Sequence, residues 1–130
     1  ASVFTFSIHG AENFPGQKER SDLDLALSSG TGDDDYLQAL ARGLDESFAR
    51  CTPQLVYHLA GADPFGGDRL GRLALTKQGL AQRDRMVLAA CARRGLPVVT
   101  VMGGGYGRDI TDTVDVYFAT VTEALAYAPR

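Results

Sequence analysis

The fold of this chain is decided by residues 55–63, Leu-Val-Tyr-His-Leu-Ala-Gly-Ala-Asp. The apolar run at 55–59 predicts a strand with both faces covered, and the small residues at 60–62 end it. Asp63 then places a carboxylate three residues beyond the strand. A capped helix from Thr76 and another apolar run follow, so residues 55–102 read as strand, helix and strand, the pattern of a parallel sheet.

Working outward, the same alternation covers the whole chain. Strands are predicted at 3–9, 23–27, 55–59 and 98–102, and helices at 33–51, 76–94 and from Asp109 onward. We therefore predict one α/β domain over residues 1–130, with three αβα layers around a mainly parallel sheet.

The helices carry recognisable boundaries and apolar faces. Asp33 and Thr76 are predicted N-caps, and Gly95 is predicted to end the second helix. The first helix has an apolar face formed by Tyr36, Leu37, Leu40, Leu44 and Phe48. The third helix is predicted to bury a stripe made of Ile110, Val114, Tyr117, Phe118, Val121 and Leu125.

Composition excludes several classes of protein. The 130 residues are 45% hydrophobic, which excludes a disordered chain, and they contain no apolar run long enough to span a membrane. The net charge of −3 gives no attraction to nucleic acid or anionic lipid. Residues 1–6 do not have the pattern of a signal peptide, and Cys51 and Cys91 are predicted to be buried, reduced thiols. We therefore expect a cytoplasmic protein.

In parallel sheets, functional loops lie beyond the carboxyl ends of the strands. This rule selects the loops after His9, after Ala60 and after Met102. In the second loop, Asp63 can bind a metal, act as a base, or stabilise the loop by accepting backbone hydrogen bonds. Asp68 is predicted to be structural and to hold the Gly66-Gly67 turn.

The glycine run at 103–105 precedes Tyr106 and Gly107. A phosphate-binding loop is one interpretation, but Arg108 stands where the third glycine of that motif is required. The glycines can instead leave room for a substrate beside Tyr106, whose hydroxyl can donate to a developing oxyanion. A flexible turn with a half-buried tyrosine remains the simplest alternative.

The two histidines and one aromatic residue complete the candidates. His58 lies inside a predicted strand and is expected to be a core residue with its hydrogen bonds satisfied. His9 ends its strand and is a weaker candidate for a metal ligand than Asp63. Neither has the spacing of a strong metal motif. Phe14 can wall a substrate channel or simply pack.

Together these motifs resemble the C-terminal half of the histone deacetylase superfamily. The resemblance is carried by the order and spacing of Ser7-Ile8-His9-Gly10, Phe14-Pro15-Gly16, residues 30–36, residues 60–73 and Gly103-Gly104-Gly105-Tyr106. The Gly67-Asp68-Arg69-Leu70-Gly71 and Arg83-Asp84 segments look most like the class IV branch and bacterial histone deacetylase-like amidohydrolases. The resemblance implies the arginase/deacetylase fold and a zinc-dependent hydrolase that removes acetyl groups from acetyl-lysine or related acetylated amines.

The resemblance also implies roles for individual positions. Asp63 matches a ligand of the catalytic zinc, and Tyr106 matches the tyrosine that stabilises the oxyanion. Phe14, Gly104 and Gly105 match residues that line the acyl-lysine tunnel. Ser7 resembles part of a monovalent-cation site that would hold K⁺.

Part of that active site is missing from the sequence. The family takes its base from a paired histidine motif and two more zinc ligands from an Asp-x-His motif, and neither motif is present in this chain. We therefore predict weak or no zinc binding and little or no deacetylase activity for the chain alone. It is expected to be a fragment that lacks an N-terminal half and is prone to self-association. A non-catalytic scaffold domain and a nucleotide-binding domain are the alternatives.

Overall fold

The computed structural model describes residues 2–128, which form an α/β domain. Its strands are β1 (Phe6–Gly10), β2 (Leu23–Leu27), β3 (Val56–Leu59) and β4 (Val98–Val101). Its helices are α1 (Asp33–Arg50), α2 (Lys77–Ala92) and α3 (Ile110–Ala126). The predicted class and element order are confirmed, and most boundaries agree within three residues.

The strands form two separate parallel pairs in the described residues. β1 pairs with β2, with Ile8 opposite Leu25, and β3 pairs with β4, with His58 opposite Thr100. The expected mainly parallel arrangement is therefore present, but β1 and β3 are not hydrogen-bonded to each other. A cleft lies between them.

The core lies between the helices and one face of the strands. Its buried members come from every helix and from the loop before α2: Tyr36, Leu40, Ala62, Leu73, Leu75, Leu80, Val87, Cys91 and Val116. Each large aliphatic residue buried there contributes about 1.5–3 kcal/mol relative to an exposed position. The predicted apolar face of α1 is confirmed, since all five of its residues belong to this core or pack against it.

Two of the three predicted helix boundaries are correct. The Thr76 hydroxyl accepts a hydrogen bond from the Gly79 N–H at 2.9 Å, and Gly95 ends α2 with φ +65°. The prediction for Asp33 was wrong, because Gly32 is the N-cap of α1 and provides no side-chain cap. The Asp33 carboxylate instead accepts hydrogen bonds from the Thr76 N–H and hydroxyl, at 2.8 and 2.6 Å, and so joins α1 to α2.

The predicted buried stripe of α3 was largely wrong. Its apolar side is exposed in the described residues: Ile110 70%, Val114 58%, Phe118 74%, Val121 52% and Leu125 69%. The helix turns Val116 and Thr120 toward α2 instead, because the Thr120 hydroxyl donates to buried Asp84 at 2.6 Å. Of the predicted stripe only Tyr117 packs against the core.

One face of the β3–β4 pair is also uncovered. Tyr57 and Leu59 are 64% and 73% exposed, and Val99 and Val101 are 39% and 36% exposed. The described residues therefore supply a helical layer on one side of this pair only. Within residues 2–128, no helix is both long and apolar enough to cross a membrane.

The cysteines are both free thiols. Cys91 is fully buried, and that burial raises the pKa of its thiol although the charge of Arg94 opposes the shift. Cys51 is only partly buried, so the expectation of two buried thiols is correct for Cys91 alone.

Candidate active site

The three loops selected from the sequence meet at the carboxyl ends of the strands. The Ala62 N–H donates to the Gly103 carbonyl at 3.2 Å, which joins the β3 loop to the β4 loop. The Arg72 N–H donates to Asn13 Oδ1 at 2.8 Å, which joins the β3 loop to the β1 loop. The predicted site residues on these loops therefore belong to one region of the molecule.

Asp63 occupies a partly buried position between two glycines. A Cβ atom at Gly104 would lie 2.5 Å from Asp63 Oδ1, and one at Gly61 would lie 2.6 Å from it. Burial raises the pKa of the Asp63 carboxyl; its own backbone N–H opposes that shift, Asp68 adds to it and Arg83 opposes it. The carboxylate is thus held in a restricted space that only glycine neighbours permit.

Tyr106 is fixed by its backbone and leaves its side chain accessible. Its carbonyl accepts the Arg69 N–H at 3.0 Å, and its N–H donates to Asp68 Oδ2 at 2.6 Å. The side chain is 50% exposed. Of the alternatives for the loop that carries Tyr106, a flexible turn fits poorly, because both the backbone N–H and the carbonyl of Tyr106 are hydrogen-bonded.

Asp68 is structural, as predicted, but its partners differ from those expected. The Asp68 backbone N–H closes the turn to Phe65, whereas its carboxylate accepts the N–H groups of Leu70 and Gly71, both at 2.8 Å. Together with the bond from Tyr106, this one side chain connects two loops. The sequence carried no signal for that connection, because the partners lie 38 residues apart.

The loop after β1 presents Phe14 to solvent. The Phe14 side chain is 96% exposed, so it does not pack against the described residues. The Lys18 ammonium holds this loop by donating to the carbonyls of Ala11, Asn13 and Pro15 at 3.0, 2.7 and 2.9 Å. Sequence reasoning missed Lys18 and Asn13.

Ser7 and His9 contact each other on β1. The Ser7 hydroxyl lies 2.8 Å from His9 Nδ1. Burial lowers the pKa of His9, the nearby charge of Lys18 lowers it further, and Asp24 opposes the shift. The lowered pKa favours the neutral form of His9, whose ring is engaged with Ser7.

A buried charged network lies beneath the Asp63 loop. Asp84 Oδ1 accepts from Arg83 Nε at 2.8 Å and lies 2.9 Å from His58 Nε2. Burial alone would raise the pKa of the Asp84 carboxyl, but hydrogen bonds from His58, Arg83 and Thr120 hold it below its ordinary value. The prediction that His58 is a satisfied core residue is confirmed, since its side chain is buried against this carboxylate.

Arg83 connects this network to the candidate site. Its Nη1 donates to the Gly61 carbonyl at 2.6 Å, two residues before Asp63. A charged helix residue that bonds a loop carbonyl constrains the backbone conformation of the loop. Helical spacing alone could not reveal this role, because it depends on how α2 is placed against β3.

The residues present do not form a zinc site by themselves. Catalytic zinc requires three protein ligands, and residues 2–128 contain no group of three or more His, Cys, Asp or Glu side chains placed to hold a metal. Asp63 is one candidate ligand. His9 and His58 are engaged by Ser7 and Asp84.

Comparisons with known proteins agree with this fold. Residues 1–122 match the histone deacetylase domain. An uncharacterized protein of Picosynechococcus sp. is 52% identical over 113 residues, covering 87% of this chain and 38% of that protein. Histone deacetylase 2 of Arabidopsis thaliana is 30% identical over 120 residues, covering 87% of this chain and 31% of that protein.

The crystal structure of a histone deacetylase homologue from Aquifex aeolicus has the same fold. It superposes with a TM-score of 0.74 and 20% identity, over 98% of this chain and 36% of that chain. The chain belongs to the histone deacetylase family, a family of deacetylase-type hydrolases. This chain spans only 31–38% of the length of these three relatives.

Proposed function

We propose that this chain supplies the oxyanion-stabilising side of a deacetylase active site. The complete enzyme would hydrolyse the acetyl amide of acetyl-lysine or a related acetylated amine. The observation that carries the proposal is the joining of the Asp63 and Tyr106 loops through Asp68 and Gly104. Membership of the histone deacetylase family supports the reaction class.

Tyr106 has the chemistry of an oxyanion donor. Its hydroxyl sits on a half-exposed side chain at the carboxyl end of β4, while its backbone is anchored on both sides. A donor held in place before the reaction costs no reorganisation, and removal of one such donor typically costs about 2.7–4 kcal/mol of transition-state stabilisation. Anchoring of the backbone by Asp68 would supply part of that preorganisation.

The surrounding residues suit a channel for an extended acyl chain. Gly104 and Gly105 adopt φ values of +72° and +100°, and a Cβ atom there would lie 2.5 Å from Asp63 Oδ1 and 2.7 Å from Thr113 Cγ2, so only glycine lets this loop run so close to Asp63. The exposed ring of Phe14, on the loop held by Lys18, is available to form one wall. We assign these three residues to substrate binding.

In the complete enzyme we propose zinc as cofactor, with Asp63 as one ligand, and a K⁺ site that includes Ser7. The remaining zinc ligands and the general base must come from polypeptide outside residues 1–130, because this chain lacks them. We accordingly propose that the chain alone is inactive and binds zinc weakly. A cytoplasmic location and the lack of nucleic-acid or membrane partners are part of the same proposal.

A hybrid protein tests this function. The matched segment of the Picosynechococcus relative is replaced by the corresponding residues of this chain, and hydrolysis of an acetyl-lysine peptide is measured with added zinc. We expect activity in the hybrid, none in the isolated chain, and a loss in kcat/KM of at least about 100-fold in the hybrid with Tyr106→Phe. Tyr127→Phe, at a partly exposed tyrosine after α3, is the matched control and should leave activity unchanged.

Two results would contradict the proposal. Zinc-dependent hydrolysis by the isolated chain would show that it is not a partial site. A folded hybrid without activity, where the unaltered relative is active in the same assay, would favour the alternative of a non-catalytic scaffold domain.

A further inference from the structure

The space that contains the Asp63 carboxylate has two glycine walls. One wall is the Gly61 peptide, where a Cβ atom would lie 2.6 Å from Asp63 Oδ1. The other wall is Gly104, where a Cβ atom would lie 2.5 Å from the same oxygen. Glycine has no side chain that could fix its own position. The shape of this space therefore depends on the groups that bond to the backbone of the two walls.

Arg83 of α2 fixes the first wall. Its Nη1 donates to the Gly61 carbonyl at 2.6 Å, while its Nε donates to Asp84 Oδ1 at 2.8 Å. The two charged residues are buried, with Arg83 4% and Asp84 1% exposed. Because the guanidinium is planar and its N–H groups have fixed directions, the bond made by Nε also sets where Nη1 points. Asp84 therefore orients Arg83, and Arg83 places the Gly61 peptide against Asp63.

Tyr117 of α3 fixes the second wall. Its hydroxyl donates to the Gly103 and Gly104 carbonyls, at 2.9 and 2.8 Å. A hydroxyl has one proton, so the two carbonyls share this donor. The ring of Tyr117 packs against the hydrophobic core, which limits its movement. The glycine turn beside Asp63 is thereby attached to a helix that begins after it.

The two walls also bond to each other. The Ala62 N–H donates to the Gly103 carbonyl at 3.2 Å, a bond between the residue after Gly61 and the residue before Gly104. This bond forms only while both walls are in place. Exchange of the Ala62 amide with solvent therefore reports on the position of both walls.

We propose that Arg83 and Tyr117 are positioning residues that hold the Asp63 carboxylate from its two sides. Each acts through the backbone of one glycine wall, and each belongs to a different helix. The inference rests on the proposed function, in which Asp63 is a zinc ligand. Replacement of residues that support metal ligands typically lowers metal affinity or activity by about 10–100-fold.

Hydrogen exchange of the isolated chain tests the two contacts without metal or catalysis. Arg83→Lys keeps a positive charge beside Asp84 but has a single nitrogen, so it lacks the fork that also reaches the first wall. Tyr117→Phe removes only the hydroxyl. We expect each variant to speed exchange of the Ala62 amide at least about 10-fold relative to the amide of Leu88, in the middle of α2, because the loop then opens locally.

Two matched variants control for general effects on the fold. Val87→Ala removes buried apolar contacts on α2 but no hydrogen bond, and should lower the Tm without changing the relative exchange of Ala62. Thr122→Val removes a hydroxyl on α3 that donates only to the Phe118 carbonyl, at 2.9 Å, and should leave both quantities unchanged.

The hybrid with the Picosynechococcus remainder supplies the functional readout. We expect Arg83→Lys and Tyr117→Phe each to lower both the zinc affinity and kcat by at least about 10-fold, with little change in KM, whereas Val87→Ala and Thr122→Val keep both values. If the first two variants only lower the Tm, as Val87→Ala does, and leave Ala62 exchange and kcat unchanged, the proposal is overturned. An unsubstituted hybrid without activity would count against the proposed function, while the exchange result still decides whether the two residues hold the walls.

Discussion

The Asp68 carboxylate accepts a hydrogen bond from the backbone N–H of Tyr106, with 2.6 Å between Oδ2 and the nitrogen. Its other oxygen accepts two more backbone N–H groups, from Leu70 and Gly71. One side chain therefore ties the candidate oxyanion donor to the loop that follows Asp63. A carboxylate can serve three donors in this way because it has about four acceptor sites and no proton to place.

Replacing Asp68 by asparagine should weaken this link. The asparagine side chain would keep one acceptor oxygen and add an NH₂ group that faces the backbone donors, so at least one bond is lost. We expect Asp68→Asn to lower the free energy of unfolding by about 1–3 kcal/mol and to speed exchange of the Tyr106 amide. Urea unfolding and hydrogen exchange of the purified chain measure both effects.

The control for that change is Asp45→Asn, on an exposed side of α1. It removes the same charge from a surface position and should change stability by less than about 0.5 kcal/mol. Equal effects from the two variants would show that the Asp68 link has no special energetic role.

Adjacent glycines offer a second matched comparison. Gly104 has φ +72°, and a Cβ there would meet Asp63 Oδ1 at 2.5 Å, whereas a Cβ at Gly103 would meet nothing within 4 Å. The left-handed conformation alone costs a residue with a side chain about 1–2 kcal/mol. Gly104→Ala should therefore lower the free energy of unfolding by at least that amount, and Gly103→Ala by much less. Thermal and urea unfolding measure the stability of both variants, and equal losses of stability would contradict this prediction.

The framework of this fold was predicted well. Strand positions, the cap at Thr76, the start of the last helix near Asp109 and the glycine that ends α2 depend on local chemistry, and the structure confirms them. The apolar runs and the short turns between them also indicated which loops lie at the carboxyl ends of the strands. These features are encoded within a few neighbouring residues.

The errors arose where a long-range contact decided the outcome. Asp33 has the residue type of a cap, but the N–H and hydroxyl of Thr76 compete for its carboxylate. The most apolar face of α3 was predicted to be buried. A polar residue, Thr120, points inward instead, because its hydroxyl donates a hydrogen bond to Asp84. Neither partner can be identified from the spacing within a single element.

The candidate site was predicted in part. Asp63 and Tyr106 were found from their positions after strands, but no local pattern indicates that Arg83 reaches the Gly61 carbonyl or that Lys18 holds the Phe14 loop. The supporting residues of a site lie on other elements, so their roles appear only once the elements are packed. Assignment of catalytic roles to Asp63 and Tyr106 stays a prediction until the hybrid is assayed.

The Asp84 network makes stability depend on pH. Its hydrogen bonds hold the pKa of this carboxyl in the folded state below the ordinary value of 3.8. The ionised network therefore stabilises the fold fully above that ordinary value, and the stabilisation is lost as pH falls through the folded pKa. The free energy of unfolding of the native chain should thus fall as pH is lowered from about 5 toward about 2.

Asp84→Asn tests that assignment. It leaves Arg83 as a buried cation without its partner, which typically costs about 3–5 kcal/mol when a buried pair is broken. We expect the variant to be destabilised by about that amount near neutral pH, and the difference from the native chain to shrink as the solution is acidified. Guanidinium unfolding at several pH values measures the difference in the free energy of unfolding between the two proteins. A difference that stays constant with pH would contradict the role assigned to the Asp84 network.

The exposed side of α3 predicts how the chain behaves in solution. Phe118 and Val121 are 74% and 52% exposed on an apolar face that nothing in residues 2–128 covers, whereas Val116 on the opposite side is 1% exposed. Large exposed apolar patches promote association. We expect the isolated chain to self-associate, and Phe118→Asp with Val121→Asp to reduce association while changing the free energy of unfolding by less than about 1 kcal/mol. Sedimentation velocity measures association. Thr111→Asp, at an exposed polar position on the same helix, is the control for added charge. A native chain that stays monomeric at high concentration would contradict the prediction.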